Sequence, residues 1–148
     1  MNLNIREIEI TDKDRWLELW SGYLIFYKAS LPESQTNLTW ERLFDANFNV
    51  NGLVAEIDGK VVGFTHFLFR PSTWAKNDYC YLEDLYVDSD TRGKGVGRAL
   101  INAVSERAQE KSANRVYWTT QSTNSQARIL YDSFGYPPEF VQYRIPLN

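Results

Sequence analysis

Two segments of the sequence carry residues that could do chemistry: a glycine-rich loop and a pair of adjacent carboxylates, Glu83 and Asp84. The loop reads Arg92-Gly93-Lys94-Gly95-Val96-Gly97 and is followed by Arg98. Because glycine has no Cβ, backbone N–H groups can converge there, and a following helix start adds unpaired donors and a positive dipole end. With three basic side chains in the same stretch, the loop predicts a site for a phosphate or pyrophosphate. A glycine-rich turn that binds nothing is the alternative for the loop taken alone.

The spacing within the loop excludes two common phosphate-binding motifs. A P-loop ends in Gly-Lys-Ser/Thr, whereas Lys94 is followed by Gly95. The dinucleotide-binding fingerprint requires G-x-G-x-x-G, whereas the spacing that starts at Gly93 is G-x-G-x-G. The loop therefore belongs to neither class.

The elements that must position these residues follow from the hydrophobic periodicity of the chain. A β-like N-terminal segment precedes an amphipathic helix whose apolar side chains run from Trp16 to Tyr27, and a second short helix is expected to be capped near Thr39. Asp58-Gly59 is a two-residue hairpin signal between strands expected over 53–57 and 61–69.

The second half of the chain contains the segments that carry the chemistry. The carboxylates lie in the most strand-like stretch, 79–87, and the glycine loop joins that strand to a helix. A strand over 115–120, a helix capped by Asn124 or Ser125 and a last strand over 140–145 complete the pattern. The order β-α-α-β-β-β-α-β-α-β predicts an α/β (α+β) fold, with a mixed, mostly antiparallel sheet flanked by helices.

Composition limits the class of protein. The 148 residues include 16 Lys+Arg and 19 Asp+Glu, which gives a formal net charge of −3, and the length suits one domain over 1–148. The slight acidity argues against a nucleic-acid partner, and no stretch approaches the ~18 apolar residues of a membrane span. The charged N-terminus lacks the apolar core of a secretion signal, so we expect a cytoplasmic protein without a membrane partner.

The single cysteine and the single histidine limit the chemistry further. Cys80 alone excludes an internal disulfide and a zinc site of several thiolates, and one histidine, His66, argues against a metal site. A Cys80 nucleophile with His66 as its base is disfavoured, because a lone cysteine in an apolar strand usually serves packing.

Two motifs together resemble a known family. Arg92-x-x-Gly95-x-Gly97, preceded by Leu-Glu-Asp-Leu-Tyr-Val over 82–87, resembles the coenzyme A-binding signature of the GNAT N-acetyltransferases. Asn124-x-x-Ala-x-x-Leu-Tyr131, followed by Phe-Gly-Tyr over 134–136, is similar to the second signature of that family. The element order also fits. Within the family, the chain looks most like the diamine (spermidine/spermine) acetyltransferases and the fungal histone/polyamine acetyltransferases.

The resemblance implies a set of residues that bind coenzyme A. The strand before the loop would splay from its neighbour and bind the pantetheine arm through its backbone, with the Leu85 N–H as a candidate oxyanion donor. The loop N–H groups would hold the pyrophosphate, and the asparagine that leads the following helix would contact the coenzyme, unless it is an ordinary N-cap. The expected set is Leu85, Tyr86, Val87, Arg92, Gly93, Lys94, Gly95, Val96, Gly97, Arg98 and Asn124.

The resemblance also implies catalytic roles. A neutral amine must attack the thioester, and an alkylammonium has a pKa of about 10.4 in water, so a carboxylate is needed to take its proton directly or through a water. We expect Glu83 to be this base and Asp84 to be the amine-binding anion, since neighbours in a strand point to opposite faces. The reverse assignment and simple pairing with an arginine are the alternatives. Tyr131 matches the family's general acid, which protonates the departing thiolate.

The resemblance therefore predicts an acetyl-CoA-dependent N-acetyltransferase that uses no metal and forms no covalent enzyme intermediate. The expected acceptor is a small cationic amine or polyamine. Alternatives are a protein, histone-lysine or amino-acid acceptor, and a non-catalytic acyl-CoA-binding module that would keep only the loop. Members of the family often form dimers, and residues 140–145 would permit a homodimer contact.

Overall fold

The computed structural model describes all 148 residues and contains five strands and four helices. In chain order they are β1 (Leu3–Glu7), α1 (Lys13–Phe26), α2 (Glu33–Arg42), β2 (Asn51–Ile57), β3 (Lys60–Arg70), β4 (Tyr79–Val87), α3 (Val96–Glu110), β5 (Val116–Tyr117) and α4 (Ser125–Asp132). The fold class and the order of elements as far as α4 agree with the sequence-based expectation.

The strands form one sheet in the order β1-β2-β3-β4-β5. The first three pairs are antiparallel, and β4 pairs with β5 in parallel. The hairpin between β2 and β3 turns at Asp58 and Gly59, whose φ angles are 50° and 84°. Positive φ at both turn residues is the conformation that an Asp-Gly pair favours, which explains why the sequence located this hairpin.

Each face of the sheet is covered by a different helix. On one face, the aromatic residues of α1 and α2 pack on β2 and β3, and Trp16 is fully buried between Trp20, Trp40 and Phe64. On the other face, Val96 and Leu100 of α3 pack on the sheet. Burial of one such large apolar side chain stabilises a fold by about 1.5–3 kcal/mol. The aromatic residues of α1 are therefore mainly part of the core.

The chain divides into two compact units, residues 1–118 and 119–148. The first contains the whole sheet with α1, α2 and α3. The second contains α4, which ends at Asp132, and a C-terminal segment without regular structure.

The structure corrects three boundaries. Helix α2 begins at Glu33, directly after Pro32, and not near Thr39, because the fixed φ of proline suits a helix entrance. Strand β5 is limited to Val116–Tyr117, and the last strand expected over 140–145 does not form. The alternation of apolar residues in that segment is typical of a strand, but a strand also needs a neighbouring backbone to pair with, and residues 136–148 have none.

Candidate active site

A β-bulge interrupts β4 at the two carboxylates. His66 of β3 is opposite Asp84, and the next residue, Phe67, is opposite Leu82, so Glu83 has no partner in the ladder. Two residues of the bulged strand thus oppose one residue of its partner, a device that reorients side chains and is common near active sites.

The bulge brings both carboxyl groups to the same face of the sheet. His66 and Phe67 are neighbours in β3 and point to opposite faces, so their partners Asp84 and Leu82 also do. Glu83 follows Leu82 and points away from it, and therefore to the face of Asp84. This corrects the expectation of opposite faces, which assumed an unbroken strand. The two carboxylates influence each other directly, since Asp84 raises the pKa of Glu83.

Asp84 is held by two hydrogen-bond donors. The Tyr23 hydroxyl of α1 lies 2.6 Å from Oδ1, and His66 Nδ1 lies 2.9 Å from Oδ2. His66 Nε2 lies in turn 3.1 Å from the indole nitrogen of Trp16. Asp84 is only 15% exposed and His66 only 2%. The carboxylate is therefore fixed in a buried network that the sequence pattern did not reveal.

Glu83 has a different environment. Its side chain is exposed, and it accepts a hydrogen bond from the Tyr81 hydroxyl. Partial loss of hydration and the adjacent Asp84 carboxylate raise its pKa, while the hydrogen bond from Tyr81 acts in the opposite direction. A carboxylate with a raised pKa is a stronger base than an ordinary one.

Aromatic residues of α1 surround the carboxylates. The ring of Tyr23 lies 5.0 Å from that of Tyr27 and 6.2 Å from that of Tyr86. Burial and the Asp84 carboxylate raise the pKa of Tyr23 and of Tyr27, which directly follows α1, so their hydroxyls stay protonated as donors. The site thus combines negative charge with aromatic faces, an arrangement that attracts cations.

The glycine loop forms the entrance of α3. Gly93 and Gly95 have φ angles of 82° and 80°, a conformation that residues with a Cβ rarely adopt. Ala99 N–H donates to the Gly95 carbonyl, which makes this the first helical hydrogen bond and leaves the N–H groups of Val96 and Gly97 without a helical acceptor. No acidic side chain lies in the first turn and no side chain caps it. The helix entrance therefore presents backbone N–H groups, without an acidic neighbour, in a basic segment.

Arg92 connects the loop to β4. Its Nε donates to the Val87 carbonyl over 3.3 Å, and its guanidinium carbon lies 5.6 Å from the ring centres of both Phe26 and Tyr86. The side chains of Lys94 and Arg98 are exposed on the same loop and helix start. This cluster is the densest positive charge beside the end of β4.

The second half of β4 has an open edge. β5 pairs only with Cys80 and Tyr81, so the strand continues to Val87 without a neighbour on that side. In an antiparallel pair, successive N–H groups of a strand point alternately toward and away from the partner strand. Asp88 N–H donates to the Val62 carbonyl and therefore points toward β3. By that alternation the N–H groups of Leu85 and Val87 point to the open edge, whereas Tyr86 pairs with Phe64 of β3. Two of the three expected backbone contacts are thus directed away from the ladder.

Asn124 and Tyr131 both belong to the unit of residues 119–148. Asn124 occupies the N-cap position of α4, but its side chain makes no cap and instead lies 3.4 Å from the Thr120 hydroxyl. Tyr131 is half-buried in the last turn of α4.

Cys80 is buried in β4, and burial raises the pKa of its thiol to about 11. No group of three or more His, Cys, Asp and Glu side chains is arranged to hold a metal ion. No helix is long and apolar enough to cross a bilayer.

Known proteins resemble this chain in architecture and in sequence. The sequence profile of the acetyltransferase (GNAT) family matches residues 14–136. The chain is 34% identical over 142 residues to the D-amino-acid N-acetyltransferase HPA3 of Saccharomyces cerevisiae, covering 95% of this chain and 88% of that protein. It is 33% identical over 90 residues to a thialysine N-epsilon-acetyltransferase of Caenorhabditis elegans, covering 61% and 56% of the two chains.

A solved structure of AAC(6')-Iy, in complex with the bisubstrate analogue CoA-S-monomethyl-acetylneamine, aligns with a TM-score of 0.83 at 19% identity. The alignment covers 99% of this chain and all of that one, and at this identity the likeness concerns the fold. The chain belongs to the GNAT family of acetyltransferases. It is an acetyl-CoA-dependent N-acetyltransferase that acts on an amine.

Proposed function

We propose that the enzyme transfers the acetyl group of acetyl-CoA directly to the primary amine of a small cationic molecule, which binds beside Glu83 and Asp84. The observation that carries this proposal is the β4 bulge, which directs both carboxyl groups to the face covered by the tyrosines of α1. Two carboxylates attract an ammonium group, and the rings of Tyr23 and Tyr27 stabilise its charge. Diamines and polyamines fit this description.

In the proposed reaction Glu83 accepts the proton of the bound ammonium, directly or through a water. The free amine then attacks the thioester carbonyl, the C–N bond forms and the C–S bond breaks. We assign the proton taken up by the departing thiolate to the Tyr131 hydroxyl, as the family resemblance implies. The attacking nitrogen loses its second proton to solvent as the amide forms, and Tyr131 regains a proton from solvent. Asp84 holds the cationic acceptor, because the hydrogen bonds from Tyr23 and His66 to its two oxygens fix the orientation of its carboxylate.

Acetyl-CoA is proposed to bind along the open edge of β4 and at the entrance of α3. The Leu85 and Val87 N–H groups would receive the pantetheine arm and the thioester oxygen. The loop from Arg92 to Arg98 would hold the pyrophosphate, and Asn124 would contact the coenzyme. A covalent acyl-enzyme is not part of the proposal, since the Cys80 thiol is buried and its pKa is raised to about 11.

The acceptor class is tested by steady-state measurement of thiol release over a panel of diamines, polyamines, D- and L-amino acids, thialysine, aminoglycosides and lysine-containing peptides. We expect a small primary amine to give the highest kcat/KM. If peptides exceeded every small amine by orders of magnitude, the acceptor would be a protein. If acetyl-CoA bound in calorimetry but no amine released thiol, the chain would be a binding module.

Tyr131→Phe tests the proton donor. We expect kcat to fall about 10²-fold or more, the size typical of a lost general acid, while the Kd for acetyl-CoA changes little. Tyr136→Phe, an exposed tyrosine in the same unit, is the matched control. Unchanged turnover in the Tyr131 variant would remove this residue from the mechanism.

An amino-acid acceptor is the second candidate, and Arg70 supports it. Its guanidinium carbon lies 4.9 Å and 5.3 Å from the ring centres of Tyr79 and Tyr117, and its Nε donates to the Tyr117 hydroxyl. No carboxylate lies within 4.0 Å of its guanidinium nitrogens. The ring centre of Tyr117 lies 4.9 Å from that of Tyr81, whose hydroxyl donates a hydrogen bond to Glu83. A molecule whose amine reacts at Glu83 could direct its own carboxylate toward Arg70. Two relatives are named for D-amino acids and thialysine.

Arg70→Gln separates the two acceptor classes. If the acceptor is an amino acid, its KM should rise about tenfold or more, because a charge-assisted hydrogen bond is lost, whereas the KM of a diamine should not rise. Arg115→Gln is the matched control, since Arg115 also stacks on Tyr79, 4.2 Å from its ring centre. Equal effects of both variants on every acceptor would exclude the amino-acid site.

We also propose a homodimer that uses the C-terminal segment. Five large apolar side chains are 78–90% exposed within residues 140–147: Phe140, Val141, Tyr143, Ile145 and Leu147. Several large apolar side chains exposed within one short segment are typical of an interaction site. Sedimentation velocity should give a dimer for the intact chain and a monomer for a variant with Val141→Asp and Ile145→Asp. A monomeric intact chain would contradict the proposal.

A further inference from the structure

We propose that His66 is a positioning residue that fixes the Asp84 carboxylate for the acceptor amine, and that Trp16 sets the tautomer in which His66 does so. This proposal rests on the proposed function of Asp84 as the amine-binding anion. It concerns the chain of side chains Trp16–His66–Asp84–Tyr23, which links the buried core to the face of the β4 bulge.

The hydrogen bonds determine where the imidazole proton lies. An indole N–H can only donate, so His66 Nε2, 3.1 Å from the Trp16 nitrogen, must be the acceptor. The proton of the neutral ring then lies on Nδ1, which donates to Asp84 Oδ2 over 2.9 Å. If both ring nitrogens carried a proton, the His66 Nε2–H and the Trp16 indole N–H would face each other with no acceptor between them. The tautomer is therefore fixed by the core and not by solvent.

Asp84 is restrained at both oxygens as a result. Oδ2 accepts from His66 and Oδ1 accepts from the Tyr23 hydroxyl at 2.6 Å, so rotation of the carboxylate would break one bond or the other. The remaining titratable groups near it are Tyr27, at the C-terminal end of α1, and Glu83 of β4. A carboxylate that accepts two hydrogen bonds keeps its orientation, which is what a binding site for an ammonium group needs.

Packing alone does not explain a histidine at this position. The His66 ring lies among the rings of Trp16, Trp20 and Phe64, with centre-to-centre distances of 6.0, 5.7 and 4.8 Å. An apolar side chain would suit these surroundings, whereas a buried polar ring is costly unless it is hydrogen-bonded. The two bonds to Trp16 and Asp84 satisfy both ring nitrogens, which leaves the hydrogen-bond relay as the reason for the residue.

Two amide variants separate the two bonds. Asn has its amide nitrogen where His has Nδ1, so His66→Asn can still donate to Asp84. Gln reaches the position of Nε2, so His66→Gln can still accept from Trp16 but no longer donates to the carboxylate. We expect kcat/KM for the amine to fall about tenfold in His66→Gln, the size typical of one lost buried hydrogen bond, and to stay within about threefold in His66→Asn. The KM for acetyl-CoA should be similar in both.

A double-mutant cycle decides whether His66 acts through Asp84. In an Asp84→Asn background we expect the loss caused by His66→Gln to disappear, because the carboxylate that it positions is absent. A loss of the same factor in both backgrounds would overturn the proposal. Phe67→Leu, the next residue of β3 on the opposite face, is the control for structural damage, and it should lower the melting temperature without changing kcat/KM for the amine.

The tautomer is measured independently of activity. The chain contains one histidine, so ¹⁵N-histidine NMR gives a single set of ring signals without assignment. We expect the Nδ1–H tautomer at neutral pH, converted to a mixture in Trp16→Phe. A ring in the Nε2–H tautomer in the native protein would overturn the proposal. If no amine were acetylated by the native enzyme, the proposed function would fail, while the NMR result would still report on the relay.

Discussion

Adjacent carboxylates of one strand, Glu83 and Asp84, have different surroundings, and the different roles proposed for them rest on that difference. Asp84 has a donor at each oxygen and little exposure, so it is a fixed anion. Glu83 lies beside that anion with a single tyrosine donor, and its pKa is raised. A fixed anion suits binding, whereas a carboxylate with a raised pKa suits proton transfer. The environment thus supports the assignment of Glu83 as the base.

Replacing the base should lower activity and raise stability together. We expect Glu83→Gln to lower kcat by about 10²–10⁴-fold, because general-base assistance is lost. Folding raises the pKa of Glu83, so its ionised form is disfavoured in the native state and the native protein loses stability as pH rises through that pKa. The neutral glutamine avoids this loss.

At each pH, the melting curve and the turnover rate are measured for both Glu83→Gln and the native protein. The melting temperature of Glu83→Gln should exceed that of the native protein by an amount that grows as the pH rises above about 4.3, the ordinary carboxyl pKa, and that levels off once Glu83 is ionised in the native protein. Glu106→Gln, exposed on α3, is the control for activity. A variant that keeps full turnover would exclude Glu83 as the base.

At the scale of elements, the sequence predicted what local signals determine. Asp58-Gly59 fixed the hairpin, and the glycine loop marked the entrance of α3 at Val96. The bulge at Glu83 was not predictable, because it depends on the register between β3 and β4 and not on either strand alone. The strand expected over 140–145 is wrong for a related reason, since alternation cannot supply a partner strand.

The loop before α3 gives a prediction at this scale, with a matched control elsewhere in the same unit. Gly95 has φ 80° and Gly59 has φ 84°, and a Cβ on either would meet nothing within 4 Å. Gly95→Ala and Gly59→Ala should therefore each lower the free energy of unfolding by about 1–2 kcal/mol, the cost of a left-handed backbone at a residue with a Cβ.

Only the Gly95 variant should affect the cosubstrate. The N–H groups at the start of α3 are proposed to bind the pyrophosphate, so a shift of the loop in Gly95→Ala should raise the KM for acetyl-CoA several-fold. Gly59→Ala, in the hairpin, should keep the native KM. Urea denaturation and initial rates measure the two quantities. Equal KM values in both variants would mean that the loop conformation does not matter for acetyl-CoA binding.

At the scale of the whole molecule, the net charge of −3 hides two regions of opposite sign. Arg92, Lys94 and Arg98 surround the entrance of α3, while Glu83 and Asp84 lie on the bulged face of β4. The sequence indicated both groups, but not that a buried histidine connects the negative one to the aromatic core. That link joins residues 16, 66 and 84, and only the packing of α1 on the sheet brings them together.

Opposite charges at the two regions predict how the enzyme responds to salt. Acetyl-CoA is a polyanion, so its attraction to the three basic side chains should weaken as ionic strength rises from roughly 0.01 M to 0.1 M, where the Debye length falls from about 30 to about 10 Å. The KM for acetyl-CoA should rise several-fold over this range. A variant with Arg92→Gln, Lys94→Gln and Arg98→Gln should start with a high KM that changes little with salt. For the acceptor, a polyamine should lose affinity with salt more steeply than a monoamine, because more charges are screened. A salt-independent KM for acetyl-CoA in the native enzyme would mean that the basic cluster contributes no attraction, and the pyrophosphate would then be held by backbone N–H groups alone.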